Sequence, residues 1–122
     1  MTQENKELLL KDLCARLPYE VKVRIEGDWF YDEREPYDTV LKSEVLGHLI
    51  ADVYSVKPYL RPMSSMTEEE YKEWRYLYLP LPHNNEATET ERRIDWLNAH
   101  RFDYRGLIEK GLALEAPENM YK

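Results

Sequence analysis

The pattern of apolar and polar positions predicts an amphipathic helix at the start of the chain. Within residues 3–17 the apolar positions recur at helical spacing and form a stripe of Leu10, Leu13, Cys14 and Leu17, with Leu9 beside them. Charged residues lie mostly opposite that stripe, namely Lys6, Glu7, Lys11 and Asp12. Pro18 ends the helix, because the residue before a proline is held out of the α region. We therefore expect Cys14 to be buried.

A strand follows the helix, since aliphatic and charged residues alternate strictly from Val21 to Glu26. Gly27-Asp28 can form a two-residue hairpin turn, which would make Trp29-Phe30-Tyr31 the returning strand. A loop running to Pro36 is the alternative. Residues Tyr37–Lys42 predict a further strand between turn-forming neighbours.

Residues 45–54 fit two patterns. Leu46, Leu49, Ile50 and Val53 would share one face of a helix, whereas Val45, Gly47, Leu49, Ala51 and Val53 would share one face of a strand. We favour a strand, because a glycine in mid-helix costs about 1 kcal/mol relative to alanine. A hairpin also needs a third strand to be stable.

Capping signals predict three helices in the second half of the chain. Thr67 and Glu70 form a capping box that opens a helix ending by Pro80, and Met66 with Tyr71 can add a hydrophobic staple. A second box, Thr88 with Glu91, opens a helix that runs to about His100. Asp103 caps a short last helix, for which Gly111 is the C′ residue.

The order of the predicted elements is a helix, then strands, then helices, which is typical of α+β proteins. We predict an α+β fold with an N-terminal helix, a small antiparallel sheet of three or four strands, and three C-terminal helices. The length of 122 residues is close to the modal domain size, so we expect a single domain over residues 1–122.

Composition excludes several classes of function. A net charge of −7 opposes direct binding of nucleic acid or of an anionic membrane surface. No apolar run approaches the ~20 residues that span a bilayer. The single cysteine cannot close an intramolecular disulfide and favours a reducing compartment. We therefore expect a cytoplasmic protein.

The residues that could carry catalysis or bind a metal form no recognised motif. None of the histidines, His48, His83 and His100, has a second histidine at metal-ligand spacing, and the four glycines are too dispersed for a phosphate loop. A small hydrolase-like enzyme would need one of these histidines to converge with a carboxylate. We expect no catalytic residue, no metal and no cofactor.

The aromatic residues favour a binding surface. Ten tyrosines accompany only two phenylalanines, and tyrosine is enriched where surfaces are partly wet. Trp29, Tyr31 and Tyr37 could stack nucleic-acid bases, but neighbouring acids such as Asp28 and Asp32 would repel the backbone. Acids around aromatics suit a protein partner with a basic face. The alternative is a nucleic-acid-related role, as a DNA mimic or a regulator of a nucleic-acid-binding protein.

Two segments carry a resemblance to other proteins. Residues 57–70, KPYLRPMSSMTEEE, and residues 96–113, WLNAHRFDYRGLIEKGLA, resemble segments of an uncharacterised family of small hypothetical proteins from gut bacteria and their prophages. The resemblance implies an accessory protein of a mobile or phage-related element. It implies no activity, cofactor or catalytic residue.

Helix caps and turns do not explain five side chains in these segments, and these are the candidate partner-binding residues: Lys57, Tyr59, Arg61, Tyr104 and Arg105. The first three alternate in an extended segment that Pro58 and Pro62 constrain, so they should point the same way. The alternative is that Tyr59 packs on the sheet while Arg61 pairs with an acid of residues 68–70. The exposure of both side chains distinguishes these interpretations.

Overall fold

A computed structural model describes residues 2–27, 36–51, 54–76 and 86–121. The helices in these residues are α1 (Gln3–Arg16), α2 (Ser43–Ile50), α3 (Glu68–Tyr76) and α4 (Glu86–Ala99). The strands are β1 (Lys22–Gly27), β2 (Tyr37–Val40), β3 (Tyr54–Leu60) and β4 (Leu114–Glu115). The fold is α+β, as predicted, with one sheet of order β2-β1-β3-β4.

The sheet is mixed rather than antiparallel. β1 pairs antiparallel with both β2 and β3, whereas β3 pairs parallel with β4 through Tyr59 opposite Leu114. The expectation of a purely antiparallel sheet is therefore wrong at β4, a two-residue strand too short to show a period. The alternation in β1 correctly predicted the buried face, since Val21, Val23 and Ile25 are all buried.

The predicted strand over residues 45–54 is wrong for residues 45–50, which belong to α2, whereas Tyr54 begins β3. Val45 and Leu49, four residues apart, are buried on one helix face. The apolar area that they bury outweighs the helix cost of Gly47. A Cβ at Gly47 would meet no atom within 4 Å, so no close packing requires a glycine there.

The buried face of α1 differs from the predicted stripe. Its buried residues are Leu9, Asp12, Leu13 and Arg16, and Cys14 is exposed. The face is displaced because two charged residues, Asp12 and Arg16, pair inside the protein at 2.8 Å. A hydrophobicity pattern assigns charged residues to the solvent face, so it could not predict this pair.

The first capping box is confirmed. The Thr67 hydroxyl accepts a hydrogen bond from the Glu70 amide at 3.1 Å, and the Glu70 carboxylate accepts one from the Thr67 amide at 3.0 Å. The second box is wrong, since α4 begins at Glu86 and places Thr88 inside the helix. The predicted turn at Gly27-Asp28 and strand at 29–31 reach into residues outside the described part of the chain.

The predicted third C-terminal helix is replaced by a series of turns over residues 103–112. The Asp103 carboxylate does accept backbone hydrogen bonds, from Leu107 at 2.8 Å and Ile108 at 3.0 Å. Gly111 has φ +72, the left-handed conformation expected of a C′ residue. Gly106 also has positive φ, at +71, which interrupts the helix that the cap would otherwise begin.

The core lies between the sheet and helices α1 and α2 and extends to the 107–113 segment. Its fully buried members are Leu9, Leu13, Val21, Val23, Val56, Leu60 and Leu107. Within the described ranges, no helix is long and apolar enough to cross a membrane.

Candidate functional site

The predicted partner-binding residues of β3 and its end are mostly engaged within the chain. Tyr59 is only 8% exposed, and its hydroxyl donates a hydrogen bond to the Asp38 carboxylate at 2.9 Å. Both terminal nitrogens of Arg61 donate to the Glu70 carboxylate, at 2.8 and 2.7 Å. These are the contacts of the alternative interpretation. Lys57 is partly exposed on β3 and lies opposite Arg24 of β1.

Tyr104 and Arg105 belong to a different set of contacts. Arg105 forms an ion pair with Asp12 at 2.7 Å, and the Tyr104 hydroxyl donates to Asn98 at 2.9 Å. The guanidinium groups of Arg105 and Arg16 lie 4.7 and 5.3 Å from the centre of the Tyr104 ring. The structure thus divides four of the five predicted residues between separate networks, with Lys57 apart on β3, rather than gathering them on one surface.

Asp12, Arg16 and Arg105 form what we call the buried network. The side chains of Asp12 and Arg16 are both 0% exposed, and Arg16 also donates to the carbonyl oxygen of Phe102 at 2.7 Å. Arg16 Nη1 is buried without a hydrogen-bond partner. The network ties α1 to the turns after α4, and it offers little access to a ligand.

A groove of about 580 Å³ lies on the described residues. It lies where the end of β3, the start of α3, the end of α4 and residues 115–121 meet. Its lining residues are Arg61, Pro62, Ser65, Thr67, Glu70, His100, Arg101, Glu115, Ala116, Pro117, Glu118 and Tyr121. A volume of this size is typical of ligand-binding clefts.

Three lining residues of the groove, Arg61, Glu70 and His100, belong to a closed cycle of contacts, which we call the Arg61 cluster. Arg61 pairs with Glu70, and Glu70 lies 3.7 Å from His100 Nδ1. The His100 ring stacks on Trp96 at 4.0 Å, and Trp96 stacks on Phe102 at 5.9 Å. The Arg61 guanidinium, 4.2 Å from the centre of the Phe102 ring, closes the cycle.

The capping box is connected to this cluster, because the Glu70 carboxylate accepts hydrogen bonds both from the Thr67 amide and from Arg61. Hydrogen bonds from Arg61, with those from Thr67, lower the pKa of Glu70 to about 2, against an ordinary value of 4.5. Glu70 therefore stays ionised at every physiological pH and neutralises Arg61. The start of α3 is fixed against the end of β3 as a result.

The floor of the groove includes Arg101, which sequence analysis missed. Helix α4 ends in a Schellman motif, in which the Phe102 amide donates to the Leu97 carbonyl at 2.9 Å and the Arg101 amide donates to the Asn98 carbonyl at 3.1 Å. Arg101 occupies the C′ position with φ +62, where glycine is the usual residue. An arginine in this position carries backbone strain.

The side chain of Arg101 is held from two sides. Its Nη2 donates to the Tyr19 carbonyl at 2.9 Å, and its guanidinium lies 4.8 Å from the centre of the Tyr121 ring. The Tyr121 hydroxyl donates to the Tyr59 carbonyl at 2.6 Å and accepts from the Lys22 amide at 3.0 Å. Burial raises the pKa of Tyr121, so the hydroxyl remains a donor.

Two groups keep free hydrogen-bonding capacity toward the groove. Among the described residues Arg101 makes that one side-chain hydrogen bond; its Nε is buried without a partner, whereas its Nη1 is not among the buried unpaired atoms. The His100 side chain is 36% exposed, and its Nδ1 is too far from Glu70 for a hydrogen bond. The groove can therefore bind a hydrogen-bond acceptor or an anion.

The Ser65 hydroxyl of the groove is engaged within the chain. Ser65 donates its hydroxyl hydrogen to the Pro62 carbonyl at 2.7 Å, so this hydroxyl is not directed at His100. Across residues 2–27, 36–51, 54–76 and 86–121, no group of three histidines, cysteines or carboxylates could hold a metal. Comparison of the chain with protein-family models, curated proteins and solved structures finds no match.

Proposed function

We propose that this protein is a non-enzymatic protein-binding module, an accessory protein of a mobile or phage-related element that acts in the cytoplasm. We place its binding site in the groove. The observation that carries the proposal is a preformed concave site lined by His100, whose side chain is 36% exposed, and by Arg101, whose Nη1 is not among the buried atoms. A preformed site loses less conformational entropy on binding than a flexible one.

The residue types of the groove suit a protein partner. Arginine, tyrosine and tryptophan are the residues that most often anchor protein interfaces, and Arg101, Tyr121 and the adjacent Trp96 supply all three. Glu115 and Glu118 are exposed among the lining residues. Together with the net charge of −7, these carboxylates favour a partner with a basic face.

The proposal is tested by site-specific photo-cross-linking. A benzophenone amino acid replaces Glu118 at the groove, and in a matched protein it replaces Lys11, an exposed residue of α1. Both proteins are irradiated in an extract of the cells that naturally express the chain. We expect a discrete protein adduct from position 118 alone, which mass spectrometry then identifies.

The identified partner is then purified and its binding measured directly. Ser65→Trp places a large ring in the groove from an exposed lining position. We expect it to weaken binding by at least about tenfold while thermal unfolding stays close to that of the wild type. The proposal is wrong if both positions give the same adduct, if neither gives one, or if Ser65→Trp binds the purified partner normally.

A further inference from the structure

We infer that the groove recognises a carboxylate on an extended peptide segment of the partner, and that the Arg101 guanidinium receives it. This inference rests on the proposed function and names the chemistry of its partner. A guanidinium has five N–H donors in a planar fork that matches a carboxylate. In the described part of the chain, Arg101 uses one Nη2 donor in a hydrogen bond, and its Nε–H is buried without a partner, so the edge that can receive a carboxylate is the one formed by the two terminal nitrogens.

Arg101 differs in this respect from Arg61, the other arginine of the groove. The Glu70 carboxylate already accepts a hydrogen bond from each terminal nitrogen of Arg61 and neutralises its charge. No carboxylate of the described residues forms an ion pair with Arg101, whose charge is met by a carbonyl and an aromatic ring. The uncompensated positive charge of the groove therefore lies on Arg101.

The orientation of Arg101 is also fixed before any ligand binds. The Tyr19 carbonyl and the Tyr121 ring hold the guanidinium. The left-handed backbone conformation of Arg101 fixes the direction in which its side chain leaves the main chain. Glycine would satisfy this C′ position without strain. Strain of this kind persists where the surrounding structure demands it and is concentrated at binding sites.

The remaining charges of the groove select among anions. Glu70, Glu115 and Glu118 also line it, so a doubly charged phosphate would meet three carboxylates. A single carboxylate carries half the charge of that phosphate and is therefore repelled less by the glutamates. It can still accept two parallel hydrogen bonds from the guanidinium. The same glutamates favour basic residues beside the bound carboxylate. The ligand that fits is therefore an acidic residue flanked by lysines or arginines.

Two synthetic peptides test the inference by isothermal titration or by amide chemical shifts. The first is Ac-Lys-Ala-Glu-Ala-Lys-NH2, and the second has Gln in place of Glu. The Gln peptide is more positive, so the overall charge of the protein favours it. We nevertheless expect the Glu peptide to bind about tenfold more tightly, since charge-assisted hydrogen bonds to a guanidinium are specific to the carboxylate.

The matched variants are Arg101→Gln and Arg75→Gln, which remove the same charge. Arg75 is exposed on α3 and does not line the groove. Arg101→Gln should abolish the preference for the Glu peptide, and Arg75→Gln should keep it. Equal binding of both peptides by the wild type, or an unchanged preference in Arg101→Gln, would overturn the inference.

The binding of succinate and of inorganic phosphate is measured in the same way as that of the peptides. Both should bind more weakly than the Glu peptide, and equal affinity for either would contradict a peptide ligand. The two proposals fail separately. If no partner is cross-linked from position 118 but the wild type still prefers the Glu peptide, the protein-binding function is refuted. If a partner is confirmed but binds the Arg101→Gln variant normally, only the carboxylate inference is refuted.

Discussion

The buried network and the Arg61 cluster use the same chemistry but differ in exposure at Asp12 and Arg16, while Arg105 of the buried network is 17% exposed. Each pairs arginine with a carboxylate beside an aromatic ring. Asp12 and Arg16 are 0% exposed, whereas the side chains of Arg61 and Glu70 are 24% and 18% exposed. An ion pair removed from water is out of reach of a ligand, whereas one that lines a groove can also shape a surface for a ligand.

Phe102 connects the two networks. Its carbonyl oxygen accepts a hydrogen bond from Arg16, and its fully buried ring lies against Arg61. The residue before it is Arg101, the groove residue with the left-handed backbone. The buried network thus anchors the turn that presents Arg101 to the groove. Breaking the buried network should therefore disturb the Arg101 turn as well as the fold, whereas a substitution of Arg101 itself should leave the fold in place.

The largest loss of stability should come from breaking the buried network. Asp12→Asn removes the charge that neutralises Arg16 and Arg105, and an uncompensated buried charge costs about 3–5 kcal/mol. Urea unfolding measures this free energy. Glu7→Gln, at an exposed position of the same helix, should change it by less than about 0.5 kcal/mol. A loss no larger for Asp12→Asn than for the control would show that the network does not stabilise the fold.

Glu70→Gln should cost less, about 1–3 kcal/mol, because the Arg61 cluster is partly hydrated. The loss should also depend on pH. The pKa of Glu70 falls from 4.5 to about 2 on folding, so its stabilising contribution is complete above pH 4.5 and declines as the pH falls toward 2.

Urea unfolding of the wild type and of Glu70→Gln at pH 7, 4 and 2.5 checks this expectation. The difference in unfolding free energy between the two proteins should shrink over that series. Glu68→Gln is the control, since Glu68 is 84% exposed in the same helical turn. A difference that stays constant with pH would mean that the Glu70 carboxylate gains nothing from Arg61.

The smallest effect concerns the strain at Arg101. Arg101→Ala and Arg101→Gly both remove the guanidinium, but only glycine adopts φ +62 without strain. The glycine variant should therefore be more stable than the alanine variant by about 1 kcal/mol, and close to the wild type. Thermal unfolding of the three proteins gives the comparison. Equal stabilities of the two variants would show that the backbone is not strained.

The elements predicted correctly were those with strong local signals. The alternation in β1 and the Thr67–Glu70 box both depend on neighbours within a few residues, and both are observed. The strand predicted over residues 45–54 was wrong for residues 45–50 because a short apolar run fits the period of a helix as well as that of a strand. The tertiary packing of Val45 and Leu49 favours the helix. β4 and the 103–112 turns have no periodic signal at all.

The candidate site was predictable only in part. Arg61 could be singled out, since it lies in an extended segment between prolines, and one interpretation paired it with an acid of the 68–70 turn. Arg101 and Tyr121 could not, because their roles arise from contacts with Tyr19 and Tyr59, distant in sequence. Such contacts leave no pattern in one sequence. The absence of a glycine directly after α4 was the one local signal available.

The central claim is that the groove binds a partner through Arg101 while the buried network holds the fold. The most direct test is the cross-linking yield at position 118 in Arg101→Gln and Arg75→Gln proteins, compared at equal folded fraction. Arg101→Gln should lose most of the adduct, and Arg75→Gln should match the wild type. Equal yields from the two variants would contradict the account.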